Sequence, residues 1–199
     1  MAAVCLVLTG GCSGDGGKDA WAGRGRPVAV PSEPAPTRTP EGVANGVSGI
    51  RVALQGRVLA TAGVVRPVRS QCSTPAPLPA FTCQVTLLGQ TVTYQVTSEP
   101  QSGTIHRWTA RPDALIVTRT GVERALWDAY APRATAIRCD PVLPEQQRVA
   151  PLARLKQRCY VKPTAADPGL GAAGRNRART VAVQITVHDG RVSFTEHRQ

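Results

Sequence analysis

Apolar residues first recur at helical spacing at Val43, Val47, Ile50, Leu54 and Val58, three and four positions apart. That spacing predicts one face of a helix of about 20 residues. Thr39 as N-cap and Pro40 at the first helical position mark its start. Gly42, Gly46, Gly49 and Gly56 each weaken it by up to about 1 kcal/mol relative to Ala, so its stability must come from packing. Val64 to Gln71 then reads as a strand leading into Cys72-Ser73-Thr74-Pro75 and a Pro-rich loop. After Cys83, Val85 and Leu87 alternate with Gln84 and Thr86. Past a turn at Gly89-Gln90, Val92, Tyr94 and Val96 alternate with Thr91, Thr93 and Gln95. A turn at Pro100 to Gly103 and a strand from Thr104 to Ala110 complete a meander with one buried and one polar face.

The order then recurs. Thr120 and Glu123 form a capping-box pattern, and Val122, Leu126, Ala129 and Tyr130 form a helical face, with Trp127 packing at its flank. Ala134 to Arg138 leads into Cys139-Asp140-Pro141, and Cys159 opens a second meander with Val161. Val181, Val183, Ile185 and Val187 alternate with Thr180, Ala182, Gln184 and Thr186. His188-Asp189-Gly190 is a hairpin signal, and Val192 to Glu196 closes the unit. The expected fold class is α+β: two tandem modules, over 40–112 and 113–199, each a helix packed on a small antiparallel sheet stapled by one disulfide.

The chain has six Cys, at positions 5, 12, 72, 83, 139 and 159. Cys5 and Cys12 lie in an apolar N-terminal stretch, and the other four allow three connectivities. The repeated order favours Cys72 with Cys83 and Cys139 with Cys159, each bridge clipping the strand before the first Cys to the first meander strand. Each closed loop should contribute roughly 3 kcal/mol. Zinc needs Cys-x-x-Cys spacing or clustered His; neither is present, and no metal or cofactor is expected.

Ala2 to Leu8 is apolar and runs into Leu8-Thr9-Gly10-Gly11-Cys12-Ser13. Small residues before a Cys, after a short apolar run, resemble the lipobox of a bacterial lipoprotein signal. That resemblance implies that 1–11 is a signal peptide and that Cys12 is thioether-linked to diacylglycerol as the first mature residue. Met1-Ala2-Ala3 lacks the basic n-region of such a signal, so the true translation start is expected upstream. Residues 12–39 are rich in Gly, Pro, Ser and Ala, and read as a disordered tether in which Trp21 is incidental. Two acyl chains suffice for stable anchoring.

The pieces Val68 with Cys72, Cys83-Gln84-Val85, Ile137 with Cys139-Asp140-Pro141, and Cys159-Tyr160-Val161 resemble small domains of unknown function in actinobacterial lipoproteins. Those domains have a helix, a Val-rich strand ending in Cys-Pro or Cys-x-Pro, a second Cys followed by Val, and a closing sheet; here Cys139 matches that ending, whereas Pro75 stands three residues after Cys72. The resemblance covers roughly 41–110 and 119–199, and implies an envelope location without a known activity.

Composition adds a charge bias. Of 24 basic residues only three are Lys, against 13 acids, for a net charge of +11. An Arg skew with abundant Ala, Pro and Gly fits a high-G+C genome. It also attracts anionic lipid, acidic wall polymer or nucleic acid. Residues 111–199 carry 15 basic and 8 acidic residues (+7), against 5 and 2 (+3) over 41–110. Lys162, Arg175, Arg177 and Arg179 are accordingly the candidate anion-binding residues. A second candidate is the polar sheet face: with Val85, Val92, Tyr94, Val96 and Ile105 inward, Thr93, Gln95, His106 and Trp108 would face a ligand such as a sugar.

Catalytic signatures are weak. Gly169 to Gly174 spells G-x-G-x-x-G, but an Arg-rich stretch and a Val-rich strand follow it rather than a helix, so it reads as loop. His106, His188 and His197 are scattered, and no nucleophile motif accompanies them. The expected function is non-enzymatic: a lipid-anchored binding module on the outer face of the cell membrane. Its expected partners are the membrane itself, anionic envelope polymers or another envelope protein. Two alternatives are a secreted proteinase inhibitor, with Ser73 to Thr82 as bait loop, and a nucleic-acid binder if the chain is not exported. The latter is disfavoured because basic–aromatic interleaving is not evident in the sequence.

Overall fold

Two five-stranded antiparallel sheets carry the alternation read from the sequence. The structure, a computed structural model, describes residues 21, 24–33, 35–36, 42–164, 180–188 and 190–197. Within them the chain runs through β1 (Arg26–Pro27), β2 (Gly42–Asn45), α1 (Gly46–Ala62), β3 (Val68–Cys72), β4 (Ala80–Leu87), β5 (Gln90–Ser102) and β6 (Ile105–Pro112). It continues through β7 (Leu115–Thr118), α2 (Arg119–Tyr130), a 3-10 turn at Ala131–Arg133, β8 (Ala134–Asp140), β9 (Gln146–Val149), β10 (Leu152–Pro163), β11 (Val181–His188) and β12 (Arg191–His197). The first sheet has the order β2-β6-β5-β4-β3, the second β1-β8-β10-β11-β12, and β7 pairs with β9 in a separate ribbon. The fold class is α+β, predominantly sheet, with two helices and two disulfides.

The first helix is shorter than its apolar spacing suggests. Residues 42–45 form a strand paired antiparallel with β6, and the helix starts at Gly46. Gly42 (φ 143°) and Gly46 (φ 62°) place positive-φ backbone at either end of that strand, which an α-helix does not accept. Val43 is therefore 67% exposed, while Val47, Ile50, Leu54 and Val58 are buried as the spacing predicts. They share a core with Val85, Leu87, Val92, Tyr94 and Val96. In the second half, Val122, Leu126 and Tyr130 of α2 share a core with Ile137, Val161, Val183 and Ile185. The cap of α2 is Thr118 rather than Thr120: its hydroxyl accepts from the Gly121 N–H at 3.0 Å.

Both disulfides link residues directly opposite each other on neighbouring antiparallel strands. Cys72 opposes Cys83 across β3 and β4, and Cys139 opposes Cys159 across β8 and β10. The expected pairing holds because the chain returns antiparallel to the strand that carries the first Cys, directly in the first case and by way of β9 in the second.

Part of the stretch expected as tether is built into the second sheet, at β1. Arg26 and Pro27 pair with Cys139 and Arg138 as an edge strand, and the Val28 N–H donates to the Ile137 carbonyl at 2.9 Å. Trp21 is only 9% exposed, with the Arg138 guanidinium 5.5 Å and the Lys162 ammonium 6.0 Å from its ring centre. Composition signalled a linker; a Trp with two flanking cations and a free sheet edge supplied enough contact to order part of it.

The halves meet where α1 ends. Gly63 closes α1 in the left-handed conformation (φ 67°) and lies against Gly121 of α2. The Ala62 carbonyl accepts from the Thr118 hydroxyl at 2.5 Å, and the Gly63 carbonyl accepts from the Arg124 guanidinium. A Cβ on Gly121 would overlap the Ala62 carbonyl oxygen. We expect Gly121→Ala to destabilise the protein by about 2–3 kcal/mol, as overpacking at a backbone crossing does, read as a lower urea midpoint. A midpoint equal to wild type would show that the two backbones separate freely.

Candidate functional site

The polar face of the first sheet differs from expectation at β6. Val85, Val92, Tyr94 and Val96 point inward, and Thr93 and Gln95 lie on the outer face. Trp108, however, is 2% exposed, and Ile105 is 42% exposed, the reverse of the expected orientation. Trp108 lies opposite Ser98 in the ladder, and both face the core with Ala110. The register shifts between Pro100 and Ser102, so apolar character at the strand start does not report its inward side. His106 has the same parity as Trp108 and is half-buried, with no hydrogen-bond partner for its Nδ1. Thr93 and Gln95 are thus separated by the sheet from His106 and Trp108. What the outer face does carry is a Thr ladder: Thr86 with Thr91 at 2.9 Å and Thr97 with Thr109 at 2.7 Å.

The outer face of the second sheet is chemically different. Along β10, Leu155, Gln157, Cys159 and Val161 are buried, while the alternate residues Arg154, Lys156 and Arg158 are exposed and Tyr160 and Lys162 half-buried. Four cations and one Tyr therefore line one face of a single strand. Arg138 of β8 lies opposite Tyr160, and the Arg24 guanidinium sits 4.7 Å from the Tyr160 ring centre. Lys162, a candidate from sequence, belongs to this face. Arg175, Arg177, Arg179, the G-x-G-x-x-G stretch and Cys12 lie outside the described residues. The sequence reading missed Arg154, Lys156 and Arg158, although basic residues at every second position from 154 to 158 were the available signal. It also missed basic–aromatic interleaving, which the fold creates by bringing Trp21 and Arg24 beside β10.

A cleft of about 500 Å³ runs along the helix junction, lined by Thr61, Gly63, Gly121, Arg124, Asp128 and Phe194 among others. Arg124, 6% exposed, forms its floor and donates to the Gly63 carbonyl and, at 2.8 Å, to the Glu33 carbonyl. These carbonyls satisfy a guanidinium that burial would otherwise penalise. Arg124 therefore ties 24–36 and both helices together.

Beside the same helix, burial pushes the Tyr130 phenol up to about 12, helped by the charge of Glu196 and a hydrogen bond to it and opposed by Arg133. Burial also raises the Glu123 carboxyl, against the pull of Arg119 and with the push of Glu145. Among the described residues, no three His, Cys, Asp or Glu cluster with metal-binding geometry. No described helix is long and apolar enough to cross a membrane. Compared with known proteins, the chain matches no family model, no curated protein and no solved structure. Functional inference therefore rests on the residues of this chain.

Two outcomes follow from the site geometry. Replacing Trp21 by Ala removes the ring between Arg138 and Lys162, so proteolysis within 24–36 should accelerate several-fold while the far-UV spectrum is retained; unchanged cleavage would mean that β1 docks without it. For Tyr130, the raised pKa means that the neutral phenol is favoured in the fold. Its contribution to stability is full below the ordinary value of 10.0 and is lost as pH rises toward 12. Absorbance at a phenolate wavelength should show a tyrosine step toward pH 12, and Tyr130→Phe should abolish that step. A late step that survives the substitution assigns it elsewhere.

Proposed function

We propose that the protein is an exported, lipid-anchored binding module of the cell envelope, built from two copies of one disulfide-stapled unit. The observation that carries this reading is the pair of cross-strand disulfides. Bridges of this kind form and persist in oxidising compartments, which agrees with the lipobox-like run ending at Cys12. The two-copy reading is supported by the strand orders β3-β4-β5-β6 and β8-β10-β11-β12, each following a helix and each bridged between its first two strands. The copies diverge at their edges: β2 extends the first sheet beside β6, whereas β1 extends the second beside β8. On this reading the outer faces of the two sheets do the recognising. One is Thr- and Gln-rich; the other is cationic. Its role is residence at the membrane and surface recognition rather than chemistry on a substrate.

Intact mass of the protein from the membrane fraction, after thiol alkylation without reduction, tests this. The expected mature chain begins at Cys12, carries diacylglycerol, and leaves four Cys unalkylated. A soluble chain beginning at Met1, or alkylation of Cys72, Cys83, Cys139 and Cys159, overturns export.

A further inference from the structure

We propose that the outer face of the second sheet lies against anionic lipid headgroups, so that this half of the protein is apposed to the membrane surface. Three observations carry it. The first is charge: Arg154, Lys156, Arg158 and Lys162 share one face of β10, and Arg138 adjoins them on β8. Among the described residues, the carboxylate on that face is Asp140, opposite Arg158. β10 bulges between Arg154 and Arg158, which face Thr186 and Gln184 of β11, so the row from Arg154 to Lys162 extends about 20 Å at roughly 3.3 Å per residue of β11, and Arg138 widens it across the sheet. Cations spread along one exposed face suit a surface of headgroups, where each contributes to attraction within a Debye length of the surface.

The second observation concerns the aromatics. A single-stranded nucleic acid uses exposed rings as stacking platforms. Here Trp21 is buried beneath Arg138 and Lys162, and the Tyr160 ring is covered by Arg24 at 4.7 Å. The rings hold cations in place instead of offering a face to bases.

The third is position. Trp21 sits at the border of this face, nine positions after Cys12 with eight residues between them. Whatever their conformation, nine such steps span at most about 30 Å. A lipid at Cys12 would thus hold this border within that distance of the bilayer, while the first sheet has no such constraint. The choice of a membrane over a soluble polymer rests on the anchored reading proposed above.

The test uses the full chain carrying Cys12→Ser, so that vesicle binding does not depend on the anchor. Its partition is measured onto phosphatidylcholine vesicles with and without about 30 mol% phosphatidylglycerol at about 0.1 M salt. The triple variant Arg154→Gln, Lys156→Gln, Arg158→Gln should lose about 100-fold in partition, from about fivefold per cation. Neutralising Arg69, Arg107 and Arg111 on the first sheet should leave partition unchanged. The charge-keeping set Arg154→Lys, Lys156→Arg, Arg158→Lys should also bind as wild type, which separates charge from folding. Equal binding by the neutralised triple, equal binding to neutral vesicles, no vesicle binding at all, or tighter binding to soluble polyphosphate or single-stranded DNA at the same salt each overturns the proposal. Intact mass reports the anchor separately: an unlipidated native chain whose face still binds vesicles in the expected pattern would overturn the anchored reading and uphold the face.

Discussion

The structure depends on how the end of α1 is satisfied. A helix leaves its last carbonyls without intrahelical partners, and here two of them, Ala62 and Gly63, are answered from the other half of the chain. The Thr118 hydroxyl serves twice, donating to Ala62 and accepting from Gly121, so one side chain ends one helix and begins the next. Arg124 brings positive charge to the negative end of α1, where the helix dipole favours it. Glycine at 63 and 121 allows the approach. The strand leading into this junction, β7, is buried on both sides: Ile116 enters the core of the first sheet, and Leu115 and Val117 enter that of the second. The two cores thereby share a wall.

That arrangement explains which parts of the fold were legible in the sequence. Strands with strict alternation, such as Val92-Tyr94-Val96 and Val183-Ile185-Val187, were readable because each has one core to face. The Cys pairs were readable because the chain returns antiparallel to the strand that carries the first Cys. The β7 strand was not, since burial of both faces leaves no alternation to detect. The start of α1 was misplaced because Val43 fits the helical period while two positive-φ glycines bracket a strand. On β6, apolar Ile105 suggested an inward side that a register shift had already reassigned to Trp108. The tether was misread for a different reason. Its composition describes an unpaired chain, whereas its ordering comes from a sheet edge and two cations supplied by residues more than 100 positions away.

For the candidate site, the sequence located the basic half but not the surface. Net charge pointed to 111–199, yet what makes a face is the coincidence of strand parity with cation spacing on β10, reinforced by Arg24, just before β1, and by Arg138 of β8. Cations drawn onto Trp21 and Tyr160 carry a further consequence. Each ring restricts the side chain above it, so less rotamer entropy remains to be lost when that cation meets an anion. The cations nearest Trp21 lie against its ring, whereas Arg154 at the other end of the row is exposed.

This gradient bears on how a membrane-apposed orientation could be held. Diffuse attraction between a charged plane and exposed cations fixes distance but resists rotation weakly. A docked N-terminal stretch that enters beside the ordered end of the face adds a lever: the constraint acts at one border, and the charge acts across the rest. Ordering 24–36 against β8 and α2 would then shorten the effective leash, trading reach for orientation. The first sheet, with its Thr and Gln face, is joined to the half that carries the cationic face through the hydrogen bonds of Thr118 and Arg124. On the proposed reading, recognition on one sheet and residence on the other would be coupled through the helix junction, and loosening that junction would uncouple them without altering either surface.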